Sequence, residues 1–327
     1  MAETSYDWTC DERVVELGGV ADPAQPHRLQ PLIMDCFQQI VGELDSSGTV
    51  EGLLAVPLLI ARSPEPDAML LGHPDGNAII MTVGLAEAIE TYVQGALMNP
   101  DFLSDYLPEP LTNGLSEERR EFGTHLVLHM LDFVIHHEIA HDIRDHLGVL
   151  GEERGAAELG EVLSLHAIEH GDELYRFIEF DADIEALDLQ MHEMGKFGEI
   201  ADWPAAEVED AFFLQMLAML LTCQILDQAH EPVQAFGART HPAPVHRAVL
   251  YSDTMVTSFS EHYRAEDGWF KNIHDQAWYE ASIAAETHGF PEGRWRGLKM
   301  ADARFDLLDP LRPVLIEFRQ TIGMRGR

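Results

Sequence analysis

Residues 137 to 141 read His137-Glu138-Ile139-Ala140-His141. On a helix, positions i and i+4 share a face, so both imidazoles can reach one metal ion. Glu138 lies beside them, placed to take a proton from a water on that ion. Zinc suits such a site: it accepts nitrogen and oxygen ligands and lowers the pKa of bound water to about 7. A catalytic zinc also needs a third protein ligand and one open position. The chain has 17 histidines, so the pentapeptide alone is a weak signal and its surroundings must decide. Phe133-Val134-Ile135 immediately upstream gives the helix an apolar, core-facing stretch, and helix breakers lie well away.

The third ligand should come from a later helix. Glu179-Phe180-Asp181-Ala182-Asp183 offers Glu179 and Asp183 four apart on one face, with Asp181 pointing elsewhere. Glu179 can bind the ion while Asp183 hydrogen-bonds one histidine, fixing its tautomer and raising its basicity. Read alone, the same segment is also an ordinary solvated acidic face. A rival zinc motif, His166-Ala167-Ile168-Glu169-His170, has the same helical spacing in reverse but no matching carboxylate downstream. His125, His129 and His136 follow helical spacing too and are expected behind the ligands or on the surface.

A third segment, Thr240-His241-Pro242-Ala243-Pro244-Val245-His246-Arg247, separates these alternatives. HExxH, then Glu179 to Asp183, then THPxxxxR resembles the motif order of the CAAX-prenyl-protease and HtpX-type gluzincin metallopeptidases. Gly76-Asn77-Ala78 ahead of a strand and a Gly-Leu helix entry resembles a further piece of that pattern. So does His146, five residues after His141. The resemblance covers about residues 76 to 250. It departs from the family at Asp181, where Glu or Gln is usual, and in the lack of flanking membrane spans. A looser likeness is to the soluble Lit-type phage-exclusion peptidases.

The resemblance implies a zincin-like core, zinc held by His137, His141 and Glu179, and Glu138 as general base. It further implies that His241 steadies the oxyanion, that Arg247 is structural or pairs with an acid, and that a short edge strand receives an extended peptide. The expected activity is therefore zinc-dependent endopeptidase hydrolysis of a protein or peptide. The competing expectation is a metalloprotease-like fold serving as a regulatory or binding module.

To hold these residues the chain needs long helices and a small sheet. Leu32–Leu44 reads as a helix. Leu53–Ala61 is β-like, but Pro57 demotes it to an edge. His73-Pro74-Asp75-Gly76-Asn77 is a turn, Ala78–Val83 a strand, and Leu85 to about Leu97 a helix. Residues 99–113 form a loop. A helix is expected from Ser116 to about Leu147, broken near Gly148, with others at Ala156–His170, Asp172–Met194 and Ala205–Gln228. The fold class is α+β, mainly helical. Residues 1–70 form an extension, 71–260 the core, and 261–327 a helical extension packed on it.

Composition narrows the function classes. Against 57 acidic residues stand 21 Lys and Arg, a formal charge of −36, which excludes the basic footprint that nucleic-acid binding needs. An apolar fraction of 46% supports a full core. Cys10, Cys36 and Cys223 are too few and scattered for a disulfide framework, and no apolar run follows a basic start. A cytoplasmic setting is therefore expected. The apolar stretch Ala211–Leu226 is short for a membrane span and reads as a buried helix.

Overall fold

The structure is a computed structural model. It describes residues 6–22, 24, 26–46, 56–112, 114–151, 172–196, 204–229, 244–263, 269–291, 295 and 309–323. In chain order the elements are a 3-10 turn, Trp8–Cys10; α1, Glu12–Glu16; α2, Gln30–Ser46; β1, Leu58–Ala61; β2, Ala68–His73; β3, Gly76–Thr82; α3, Val83–Met98; and α4, Glu117–Ile143. There follow α5, His146–Gly151; α6, Asp172–Lys196; α7, Ala205–Ala229; α8, Pro244–Tyr263; α9, Trp269–Thr287; and α10, Asp309–Gly323. Among the described residues the protein is mainly helical with one small mixed sheet, the α+β, mainly helical class read from sequence. The expected helix Ala156–His170 lies outside the described residues.

The sheet has the order β1-β3-β2, with β3 parallel to β1 and antiparallel to β2. Residues Ala78–Thr82 of β3 are all buried, as a central strand requires. Period-two alternation divides them. Ile79 and Met81 enter the main core, whereas Ala78 and Ile80 join Trp8, Val14, Ala61 and Leu71 in a smaller cluster on the other face. Trp8 and Val14 are therefore packed onto the sheet. Asp11 caps α1 by accepting from the Arg13 amide, and that short helix covers the sheet. Its neighbour Ala21 donates to Ile60 and Gly19 accepts from Arg62, which occupies the outer edge of β1.

Because β1 and β3 are parallel, the chain between β1 and β2 must cross the end of β3. Thr82 ties the crossing down. Its hydroxyl donates to the Glu65 carbonyl at 2.7 Å and accepts from the Asp67 amide at 2.9 Å, and it caps α3 through the Leu85 amide. The crossing is tight: a Cβ on Gly84 would stand 2.1 Å from the Pro64 carbonyl oxygen. Only glycine fits there.

Helix α4 runs through the centre, capped by Ser116, whose Oγ accepts from the Arg119 amide. It ends at Ile143, earlier than expected, because Asp145 takes a left-handed φ of 51°. Gly148 consequently lies inside α5 rather than at a break. Helices α6 and α7 both pack against α4, and α8 and α9 both pack against α7. Ala140 of α4 clusters with Ala182 and Ala186 of α6, all fully buried. Side chains this small let the two helix backbones approach closely where the chemistry-bearing residues lie.

One continuous core takes residues from Ala21 to Phe318, including Trp278 and Trp295. The expected boundary at 70/71 falls inside β2, and the one at 260/261 falls inside α8. Among the described residues one stretch, Ala206–Gln228, is long and apolar enough to cross a membrane, and 78% of its window is buried within the protein. It is packed as a core helix.

Candidate metal centre

Helical periodicity places His137 and His141 on the face of α4 that meets α6, and the alanine contact brings Glu179 of α6 between them. The Nε2 atoms of His137 and His141 are 3.1 Å apart. Oε2 of Glu179 stands 3.4 Å from His137 Nε2, and Oε1 stands 3.7 Å from His141 Nε2. Zinc–nitrogen bonds of about 2.0–2.1 Å set tetrahedral ligand atoms about 3.3 Å apart. The three atoms therefore lie near the corners that a tetrahedral ion would demand. These residues form a group that could bind a metal ion, and among the described residues no fourth His, Cys, Asp or Glu joins it.

The donor chemistry fits as well. Asp183 Oδ1 lies 3.0 Å from Nδ1 of His137. A carboxylate accepts there, so the proton resides on Nδ1 and Nε2 faces Glu179. Arg247 of α8 closes the far side of Asp183, donating from Nε at 2.8 Å and from a terminal nitrogen at 2.6 Å. Its other terminal nitrogen approaches Glu179 at 3.4 Å. Arg247 thus faces two acids of the cluster, Asp183 and Glu179.

Burial shapes the charges. Burial and the charge of Arg247 push the His137 imidazole down, but hydrogen bonds to Asp183 and Glu179 outweigh them and carry it up to about 9. His141 is held well below its ordinary value by burial and by the neighbouring His137. Burial would raise Glu179, yet the hydrogen bond from His137 and the charges of His141 and Arg247 hold it well below the usual carboxylate range. With Nδ1 of His137 facing Asp183, its Nε2 points at both Glu179 and His141 Nε2, at 3.4 and 3.1 Å. Glu138, 5% exposed, is pushed up to about 7 by burial, with Glu179 and Asp67 adding to the rise and His137 and Arg247 opposing it.

The structure brings together His137, Glu138, His141, Glu179, Asp183 and Arg247. His241, His166 and His170 lie outside the described residues. His125 is exposed. His129 meets Gln215 at 3.0 Å, and His136 meets the Asp132 carbonyl at 3.0 Å, both away from the metal group. Sequence reasoning gave no role to Asp181, Arg144, Arg319 or Asp67. Asp181 does point away from the ion, but onto His146, at 2.9 Å. The only sequence signal for that pair was the position of His146 after HExxH. Asn77, singled out at the strand start, donates to Asp142 at 2.5 Å and pins the β2–β3 hairpin to the end of α4.

Comparison with family models, with curated proteins and with solved structures finds no match to this chain. The site's geometry therefore carries the functional reading, together with the motif resemblance.

Proposed function

We propose that the protein is a zinc-dependent endopeptidase of zincin type, with His137, His141 and Glu179 holding the ion. The observation that carries this reading is the convergence of those three donors beside a buried carboxylate poised near neutrality. A bound zinc supplies a Lewis acid and lowers the pKa of a water molecule. Glu138 accepts the proton of the attacking water on its carboxylate and returns it to the nitrogen of the departing amine. A base near 7 suits both transfers at neutral pH. Asp183 and Arg247 keep His137 and Glu179 in place. On motif order alone, His241 is assigned to steadying the oxyanion of the tetrahedral intermediate.

The substrate is an extended peptide strand. The outer edge of β1 is already taken by Gly19 and Ala21. β2 is the other edge of the sheet, and it begins directly after Asp67, whose charge is felt by Glu138. A peptide added along β2 would run past the general base.

The test is zinc content and cleavage in the same preparations. Wild type should hold about one zinc per chain, and His137→Ala should hold almost none. Wild type should cleave an unfolded protein, and a hydroxamate chelator should stop it. Zinc retained in His137→Ala would move attention to His166 and His170. Zinc held without any cleavage would favour the binding-module reading.

A further inference from the structure

His146 and Asp181 form a second hydrogen-bonded line that ends on a proposed ligand. Nδ1 of His146 is 2.9 Å from Nδ1 of His141, and Nε2 of His146 is 2.9 Å from Oδ2 of Asp181. Both groups are buried, at 1% and 0% exposure. Asp181 is held in turn by two guanidinium groups. Arg144 Nε donates to Oδ2 at 2.8 Å, and Arg319 of α10 approaches Oδ1 at 3.1 Å. Arg319 also donates to the Asp181 carbonyl at 3.2 Å, while Arg144 donates to the Arg319 carbonyl at 2.9 Å.

The proton positions follow from what each group can do. A carboxylate only accepts, so His146 carries its proton on Nε2. With its proton on Nε2, the ring presents Nδ1 as its acceptor. The 2.9 Å contact requires His141 to donate there, which leaves His141 Nε2 bare, on the side of His137 and Glu179. The arrangement repeats, with one imidazole interposed, what Asp183 does for His137.

We infer that His146 and Asp181 are positioning residues that fix the tautomer and orientation of His141 for metal binding, and that α10 braces them through Arg319. Outer hydrogen-bond partners of ligating histidines are commonly worth 10- to 100-fold in metal affinity. The inference rests on the metal centre proposed above and extends it to the far end of the chain.

The experiment is zinc affinity by competition with a chromophoric chelator, in the full chain at one pH. His146→Phe keeps the volume and removes the acceptor, and should weaken zinc binding roughly 10- to 100-fold. His146→Asn returns an oxygen near the Nδ1 position and should recover much of that loss. Affinity within twofold of wild type in His146→Phe would overturn the inference, as would equal losses in both variants. If His146→Phe does not fold, nitrogen NMR of the wild-type chain decides. A proton on His141 Nδ1 coupled to His146 Nδ1 supports the line, and a proton on His146 Nδ1 overturns it. A wild-type chain that binds no zinc would sink the function proposed above. The same NMR reading on the metal-free chain would then still settle the hydrogen-bonded line.

Discussion

Arg247 grips both oxygens of Asp183, at 2.6 and 2.8 Å, and Asp183 in turn faces Nδ1 of His137 at 3.0 Å. Asp183 is 1% exposed as a side chain, so its charge has no recourse to water. Replacing Arg247 with Leu removes the guanidinium and leaves that buried charge with His137 alone opposite it. The expected cost is about 3–5 kcal/mol of stability, the range seen when one partner of a buried pair is removed. Chemical denaturation reads it. A loss under 1 kcal/mol would mean that Asp183 finds another partner or takes up a proton.

Glu138→Gln should keep zinc and lose cleavage by roughly 10²- to 10⁴-fold, the usual contribution of a general base. The proposed mechanism needs the carboxylate, so kcat/KM should fall as pH drops through an acid limb. With the group pushed up to about 7 and a bound cation pulling it down, that limb lies at or below 7. Cleavage by the variant at the wild-type rate would remove Glu138 from the reaction.

Metal uptake should expel a proton. Without metal, hydrogen bonds to Asp183 and Glu179 push His137 up to about 9, whereas a ligating imidazole must be bare at Nε2. Apparent zinc affinity should therefore fall about tenfold for each pH unit below roughly 9. Titrating zinc into weakly buffered protein at pH 7 should release about one proton from His137 and part of another from Glu138, whose pKa the cation lowers. Release of none would place the cluster's proton elsewhere.

Gly84→Ala should destabilise the protein by roughly 1–3 kcal/mol, the scale of overpacking in a tight region. The added methyl meets the Pro64 carbonyl, so the crossing that carries Asp67 toward Glu138 must shift. Thermal melting measures the first effect. The second should appear as a change in KM for peptide, with zinc content unaltered.

The site was legible from sequence where its geometry is local. His137 with His141, and Glu179 with Asp183, share faces by helical period, and α4 and α6 keep that period through both motifs. What sequence did not show is tertiary. β2 reads Ala-Met-Leu-Leu-Gly-His, with no β-branched residue, and owes its strand conformation to pairing with β3. The end of α4 is set by the left-handed turn at Asp145, a residue type that tolerates this conformation without announcing it. Asp181 could be excluded as a ligand by period alone. That it serves His146 depends on α5 folding back against α6, which no spacing encodes.

The contact between Arg319 and Asp181 also sets an order of events during synthesis. His137, His141 and Glu179 leave the ribosome well before residue 319. Until α10 emerges and docks on α6, the brace behind His141 lacks one of its two cations. If His146 and Asp181 position His141 as proposed, a chain made only as far as α9 would hold metal more weakly than one on which α10 has docked.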